Sequence, residues 1–130
     1  EPRHLPVDVQ LPAAPPVLNV DPILIRHALF NLLLNAAQAT EGDGGITIRL
    51  EPQADPVGGA PGWSLTVADR GRGIAPEVME KIFVPFFTTR ADGTGLGLPV
   101  VLHVVLLHDG HVTASNRPDS GTQFAIWLPQ

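Results

Sequence analysis

The segment between Asp21 and Gly45 constrains the fold more than any other part of the chain. It begins with Asp-Pro, in which aspartate is a good N-cap and proline suits the first helical position. Apolar residues then recur at helical spacing, and the pattern ends at a run of glycines. We therefore predict a helix from about Pro22 to Thr40.

Segments that alternate apolar and polar residues predict strands. They are LPVDVQL (5–11), ITIRLE (46–51), WSLTVAD (63–69), HVTASN (111–116) and TQFAIWLP (122–129). A short helix from Ala75 to about Ile82 and a long one near Leu98 to His108 are predicted between them. The order β-α-β-β-α-α-β-β predicts an α+β fold. We expect a two-layer α/β sandwich, with a mixed sheet of about five strands covered on one face by about three helices.

The composition excludes several classes of protein. The 130 residues suit a single domain over 1–130. The formal net charge is −5 and no window concentrates Lys or Arg, so we expect no nucleic-acid partner. There is no cysteine, and no apolar run reaches the length of a membrane span, so we expect no disulfide and no membrane contact by this domain. The abrupt start, without the features of a signal peptide, predicts a piece of a longer protein.

The first predicted helix carries a line of uncharged polar residues. On a helical wheel, five apolar residues form the core face: Ile25, Leu29, Leu32, Leu33 and Ala36. His27, Asn31, Asn35 and Gln38 fall within an arc of roughly 80° on another side. A neutral polar face toward solvent would explain this pattern, and so would a cavity lined by amides. The helix by itself favours neither interpretation.

Two glycine-rich turns indicate a ligand site. In ADRGRGI (68–74) a predicted strand ends at Asp69, followed by glycines that permit close approach of backbone to a ligand. DGTGLGL (92–98) leads into a helix, whose N-terminal N–H groups suit phosphate. It lacks the lysine of a P-loop and the preceding strand of a Rossmann fingerprint, so both motifs are rejected. Together with the amides, the turns predict a nucleotide site in which an Asn oxygen suits Mg²⁺.

In this combination the sequence resembles the catalytic, ATP-binding domain of a sensor histidine kinase, in the superfamily that also contains DNA gyrase, MutL and the large heat-shock chaperone ATPases. NLLLNAAQA resembles the asparagine box, DRGRGI the first glycine box, IFVPFFTTR the phenylalanine box and GTGLGL the second glycine box. GTQFAIWLP resembles the last strand, so the resemblance covers about residues 5–129. It implies the Bergerat ATP-binding fold. The short lid between Phe87 and Gly93 resembles the nitrogen-regulation branch of these kinases.

The resemblance implies roles for individual residues. Asn35 matches the asparagine that ligates Mg²⁺, and Asp69 matches the aspartate that accepts a hydrogen bond from the adenine amino group. The other implied ATP-binding residues are Gln38, Gly71, Gly73, Ile74, Arg90, Gly93, Thr94, Gly95, Leu96, Gly97 and Thr122. Ile74 would pack on the base, Thr122 would support Asp69, and the lid glycines would contact the phosphates. Asn31, grouped with Asn35 as catalytic, stands where gyrase-type ATPases carry a Glu that activates water. An Asn cannot act as a general base, which fits a kinase.

Some positions depart from the family pattern. Gln38 stands where many of these kinases have Lys or Arg, which leaves Arg90 and Arg72 as candidate cations for the phosphates. Arg90 itself stands where Lys is frequent, so it keeps the charge but not the geometry. HDGH (108–111) replaces the usual His-Gly-Gly, which we interpret as a change of turn.

The resemblance also implies partners. Such kinases transfer the γ-phosphate of Mg-ATP to a histidine on a separate dimerising hairpin, and a response regulator acts downstream. The acceptor histidine precedes an acidic residue, and His108-Asp109 is the only such dipeptide here, but it lies where the family has a structural histidine. A metal pair of His108 and His111 is improbable across a glycine turn.

We expect the dimerisation and sensor regions to be absent from this chain and the domain to be cytoplasmic. Whether the parent protein is attached to a membrane stays open.

Two alternatives come from other functional classes. The chain could be a degenerate nucleotide-binding docking module, which Gln38 leaves open and the complete set of boxes disfavours. It could also be an ATPase or an anti-sigma-type serine kinase of the same superfamily. Asn31 in place of Glu disfavours the ATPase, and the phenylalanine box disfavours the anti-sigma type.

Overall fold

The computed structural model describes residues 5–40, 44–88 and 95–130. In chain order the elements are β1 (Val7–Gln10), α1 (Pro22–Ala39), β2 (Ile46–Pro52), β3 (Gly62–Ala68), α2 (Pro76–Met79), α3 (Gly97–Leu107), β4 (His111–Asn116) and β5 (Thr122–Pro129). The predicted order of elements is confirmed, and so is the α+β sandwich with a mixed five-stranded sheet.

The sheet runs in the order β1-β2-β3-β5-β4. The pair β1–β2 is parallel and the other three pairs are antiparallel, so the sheet is mixed. Val67 on β3 lies opposite Ile48 on β2 and Phe124 on β5. Because side chains alternate between the faces of a strand, this register brings the apolar residues of neighbouring strands to one face.

The hydrophobic core lies between that face and the helices. Leu32 of α1 and Val101 of α3 are fully buried in it, together with Phe124 from the centre of the sheet. All five residues of the predicted apolar face of α1 either belong to this core or pack against it. The sequence analysis did not include Ala28, which is also fully buried on α1.

The start of α1 is held by its cap and by a histidine from the end of α3. Asp21 Oδ1 accepts hydrogen bonds from the N–H groups of Ile23 (3.0 Å) and Leu24 (3.2 Å), as expected of an N-cap. The N–H of Asp21 donates to His108 Nε2 (3.0 Å), and His108 Nδ1 lies 2.8 Å from the carbonyl oxygen of Val104. His108 therefore joins the end of α3 to the start of α1.

The helix α2 is shorter than predicted, since it ends at Met79 rather than near Ile82. The N–H of Lys81 donates to Val78 O and that of Val84 donates to Lys81 O, so the backbone continues in tight three-residue steps. Pro85 follows, and proline has no N–H with which to continue a helix. The predicted boundary was wrong because the apolar spacing continues through these turns.

The outer face of the sheet is partly covered by the loop between β2 and β3. Trp127 lies on this face and donates from Nε1 to Gln53 O (2.8 Å). The ring of His111 stacks on Trp127 with centroids 5.4 Å apart, and His111 Nε2 lies 3.1 Å from Asp55 Oδ1. The Pro/Gly-rich loop is thereby attached to β4 and β5. Within the described ranges, no helix is long and apolar enough to cross a membrane.

Candidate functional site

A cavity of ≈ 640 Å³ lies between α1, the turn after β3 and the start of α3. This volume falls within the range of small-molecule sites. Ten candidate site residues named in the sequence analysis line it: Asn31, Asn35, Gln38, Asp69, Arg72, Gly73, Ile74, Gly95, Gly97 and Thr122. Gly71 and Leu96 are not among the lining residues, and Arg90, Gly93 and Thr94 lie outside the described residues. Segments far apart in the sequence thus contribute to one cavity.

Asp69 follows the last residue of β3 and is only 1% exposed. Its Oδ1 accepts two backbone hydrogen bonds, from Gly71 N–H (2.8 Å) and from Thr122 N–H (3.1 Å). Among the described residues, no hydrogen bond engages the other oxygen, Oδ2. The carboxylate is therefore held in place by one oxygen, and the second has no partner among the described residues; Asp69 itself lines the cavity.

Thr122 is buried beside Asp69 at the first position of β5. Its backbone, rather than its hydroxyl, makes the direct contact with the carboxylate. The hydroxyl oxygen lies 3.5 Å from Asn116 Oδ1, which is long for a hydrogen bond between oxygens.

The turn after Asp69 needs two glycines for different reasons. A Cβ on Gly71 would lie 2.1 Å from the carbonyl oxygen of Ala39, because the turn packs directly against the end of α1. Gly73 has a φ of 77°, in the left-handed region that side chains disfavour. The first glycine permits close packing, and the second reverses the backbone so that Ile74 lines the cavity.

The amides of α1 are divided between the helix and the cavity. Asn31 donates from Nδ2 to the carbonyl oxygen of His27 (3.0 Å), one turn earlier. Within the described part of the chain, the Asn35 side chain makes no hydrogen bond, although it lines the cavity. Gln38 also lines the cavity, whereas His27 does not. Three of the four polar residues on this arc therefore line a cavity. Of the two interpretations, the structure supports the cavity lined by amides.

The N-terminus of α3 forms the opposite wall. Gly95 and Gly97 line the cavity together with Leu98 and Pro99. Gly97 also makes room for Asn31, whose Oδ1 would lie 3.1 Å from a Cβ at that position. Backbone N–H groups in the first turn of a helix have no partner within the helix and attract anions. This wall therefore suits a negatively charged group.

Several residues of the site were missed by the sequence analysis. An apolar wall of the cavity consists of Leu34, Val78, Ile82, Phe87 and Leu98. Leu34 could have been found from its spacing, since it lies one turn from Asn31 and Gln38 on the same helix. Asn116 contacts the backbone of Ile74, and Arg117 Nη1 donates to Asp69 O (2.9 Å). No local pattern identifies these last two residues, because their contacts are 42 and 48 residues away.

The lining of the cavity is chemically mixed. It includes Asp69, whose Oδ2 makes no hydrogen bond among the described residues, and the apolar residue Ile74. It also includes Asn31 and Asn35, and Asn31 Oδ1 lies close to Gly97 at the N-terminus of α3. No group of three His, Cys, Asp or Glu side chains that could hold a metal ion occurs among the described residues. The Asn35 oxygen fits a Mg²⁺ ion that takes its remaining ligands from phosphates and water.

The sequence and fold of this chain are similar to those of known proteins. Residues 20–130 match the family described as "Histidine kinase-, DNA gyrase B-, and HSP90-like ATPase". Sensor histidine kinase ZraS from Salmonella typhi is 41% identical over 112 residues, which cover 86% of this chain and 23% of the relative. The chain thus spans about a quarter of the length of this relative.

Solved structures of similar shape belong to histidine kinases. The mycobacterial sensor histidine kinase MprB superposes with a TM-score of 0.82 and 30% identity, covering 96% of this chain and 81% of that chain. Full-length ShkA in complex with AMPPNP superposes with a TM-score of 0.77 and 28% identity, covering 96% of this chain and 25% of that chain.

Proposed function

The chain belongs to the histidine kinase-, DNA gyrase B-, and HSP90-like ATPase family, and on this basis we propose that it is the catalytic domain of a sensor histidine kinase. It binds Mg-ATP and presents the γ-phosphate to a histidine on a separate dimerisation domain of the same protein. The observation that carries this proposal is the buried Asp69, which has one oxygen held by backbone N–H groups and lines the same cavity as the amides of α1 and the N-terminus of α3.

We assign the base to the Asp69 end of the cavity. Asp69 Oδ2 accepts a hydrogen bond from the exocyclic amino group of adenine, and Ile74 packs on the ring. Guanine carries a carbonyl oxygen where adenine carries this amino group, so the carboxylate would repel it. A site built to pair a particular hydrogen-bonding group discriminates strongly against an analogue that lacks it.

The phosphates belong at the other end. Backbone N–H groups at the start of α3 meet their negative charge, and the Asn35 oxygen holds the Mg²⁺ ion. When bound, Mg²⁺ neutralises charge that develops during phosphoryl transfer. Gln38 and the cationic Arg72 also line the cavity. The parts played by Arg90, Gly93 and Thr94 stay predictions, since these residues lie outside the described ranges.

Asn31 favours transfer to a histidine over hydrolysis. An amide has no basic site at neutral pH, and the Asn31 Nδ2 is already used by the carbonyl oxygen of His27. Asn31 therefore cannot remove a proton from water. Catalysis in this domain consists of positioning and electrostatic stabilisation, as is usual for phosphoryl transfer.

The acceptor lies on another segment. Both ring nitrogens of His108 are engaged, by Asp21 N–H and by Val104 O, so His108 is not an available nucleophile. We propose that the dimerisation domain supplies the acceptor, that a response regulator receives the phosphate, and that the domain works in the cytoplasm, where ATP is supplied. Placement in the nitrogen-regulation branch depends on the short lid and stays a prediction.

Calorimetry with Mg-ADP tests the assignment of Asp69. The unmodified chain should bind, and Asp69→Asn should weaken ADP binding by about 10- to 100-fold, the range expected when a hydrogen bond to a charged group is lost. The variant keeps the Oδ1 acceptor for Gly71 and Thr122 but presents an NH₂ donor to the adenine amino group. The exposed Asp8 on β1 provides the control, since Asp8→Asn should bind like the unmodified chain. Equal affinity of Asp69→Asn and Asp8→Asn would contradict the assignment.

A further inference from the structure

Asn116, the last residue of β4, reaches a backbone segment 42 residues earlier in the chain. Its Oδ1 accepts from Ile74 N–H (2.8 Å), and its Nδ2 donates to Ile74 O (2.7 Å). Ile74 belongs to neither a helix nor a strand, so its backbone groups have no partner in a regular element. The Asn116 amide therefore binds Ile74 at two points, much as a neighbouring strand would.

We propose that Asn116 is a positioning residue that sets the distance between Ile74 and Asp69 and thereby the selectivity of the site for adenine. The inference deepens the proposed function and rests on it. Asn116 itself does not line the cavity, so it acts through Ile74 rather than by contact with a ligand.

The glycine before Ile74 supports this inference. Gly73 has a φ of 77°, and a Cβ on it would lie 3.1 Å from Asn116 Oδ1. That distance is tighter than most contacts of a side chain, so the close approach of the amide depends on glycine at position 73. The local backbone is thus shaped to admit the Asn116 side chain.

The same end of the β4–β5 hairpin also holds Asp69, the other residue that we assign to the base. Asn116 pairs with Thr122 in the β4–β5 register, and Thr122 N–H donates to Asp69 Oδ1. The next residue, Arg117, donates from Nη1 to Asp69 O (2.9 Å). Because Ile74 and Asp69 are both held by residues at one hairpin end, that end constrains their separation in addition to the turn between them.

The contact of Asn116 with Ile74 can be removed without unfolding the domain. Asn116 is exposed and is not part of the hydrophobic core or packed against it. Exposed side chains outside such contacts usually contribute little to global stability. Removal of the Asn116 amide should therefore loosen Ile74 without unfolding the domain.

The test compares Asn116→Ala with the neighbouring Ser115→Ala, which changes an exposed residue on the other side of β4. Amide hydrogen exchange measured by NMR should be faster at Ile74 in Asn116→Ala, with the amides of β3 and β5 unchanged. Affinity for Mg-ADP should fall by roughly 5- to 30-fold, while affinity for Mg-GDP should change by less than about threefold, which lowers the preference for adenine. Ser115→Ala should change none of these.

A second variant keeps one of the two hydrogen bonds between residue 116 and the backbone of Ile74. Asn116→Asp retains an acceptor for Ile74 N–H but loses the donor to Ile74 O, so protection of the Ile74 amide should lie between the unmodified chain and Asn116→Ala. Unchanged exchange at Ile74 in Asn116→Ala would overturn the proposal, as would an equal loss of ADP and GDP affinity or no loss of either. Failure of the unmodified chain to bind ADP would instead overturn the proposed function, and the exchange experiment would still test the contact with Ile74.

Discussion

At the scale of single residues, the polar side chains of the site divide their atoms between the fold and the cavity. Asp69 gives Oδ1 to two backbone N–H groups and keeps Oδ2. Asn31 gives Nδ2 to the carbonyl oxygen of His27, whereas Asn35 makes no hydrogen bond within the described residues. A group held by one of its atoms is already oriented when a ligand arrives, so binding costs less conformational entropy.

The hydrogen bonds of His108 also determine which of its ring nitrogens carries the proton. A backbone N–H is always a donor, so His108 Nε2 must accept from Asp21 N–H. The proton of the neutral ring then lies on Nδ1, which donates to Val104 O. The structure thus determines the tautomer of a histidine that the resemblance had already assigned a structural role.

We predict that ¹⁵N chemical shifts of His108 will report the Nδ1–H tautomer at neutral pH. We also expect His108→Ala to lower the free energy of unfolding by about 0.5–1.5 kcal/mol, because Asp21 N–H and Val104 O lose their partner. His103→Ala, an exposed position on the same helix, should change it by less than about 0.5 kcal/mol. Urea denaturation measures both, and equal effects of the two substitutions would show that His108 does not join the helices.

At the scale of elements, the site depends on the packing of the turn after β3 against the end of α1. Gly71 lies at this contact and also donates its N–H to Asp69 Oδ1. The same residue therefore sets the distance between two elements and orients the carboxylate. Any displacement of the turn should move Asp69 relative to the amides of α1.

We predict that Gly71→Ala will reduce both stability and ligand binding. The added methyl would lie 2.1 Å from Ala39 O, which is backbone and cannot rotate away, so we expect a loss of about 1–3 kcal/mol in the free energy of unfolding. Affinity for Mg-ADP should fall by about tenfold or more as Asp69 loses its orientation.

The control is Gly59→Ala in the loop between β2 and β3, a substitution that destabilises the fold away from the site. Gly59 has a φ of 74°, and a methyl group added to it would have no atom within 4 Å, so its substitution isolates the cost of backbone conformation. Gly59→Ala should cost about 1–2 kcal/mol in stability and leave ADP affinity unchanged. A normal ADP affinity in a folded Gly71→Ala variant would contradict the proposed link between the turn and Asp69.

At the scale of the whole molecule, the chain carries a nucleotide site whose acceptor we place on another domain. Leu34, which lines the cavity, is an exposed residue, so the wall of the site reaches the surface of the domain there. The family relationship and the engaged nitrogens of His108 both favour transfer to a histidine outside this chain.

We therefore expect the chain by itself to bind Mg-ATP without acquiring a stable phosphoryl group. Incubation with γ-labelled ATP, followed by gel electrophoresis at alkaline pH, should leave this chain unlabelled. Phosphohistidine survives those conditions, so any that formed on the chain would be detected. A complete sensor histidine kinase that carries its own acceptor histidine serves as the positive control. Stable label on the isolated chain would contradict an acceptor on a separate domain.

Local sequence patterns determined most of the elements of this protein. Helical spacing and the Asp-Pro cap predicted the start and length of α1, and alternation predicted β2 to β5, because these signals act between residues close in the chain. The end of α2 was misplaced, since apolar spacing does not distinguish a helix from successive tight turns.

Only the tertiary structure decided how the polar residues are used. The wheel of α1 could not separate a solvent face from a cavity, because the decisive neighbour, the start of α3 at Gly97, lies 58 positions beyond the end of α1 at Ala39. The contacts of Asn116 and Arg117 depend on the register of the β4–β5 hairpin and on where the turn after β3 lies. Contacts between a side chain and a backbone group so far apart in the sequence leave no local periodicity. The residues that line the site could therefore be predicted from the sequence, but Asn116 and Arg117, which hold them in place, could not.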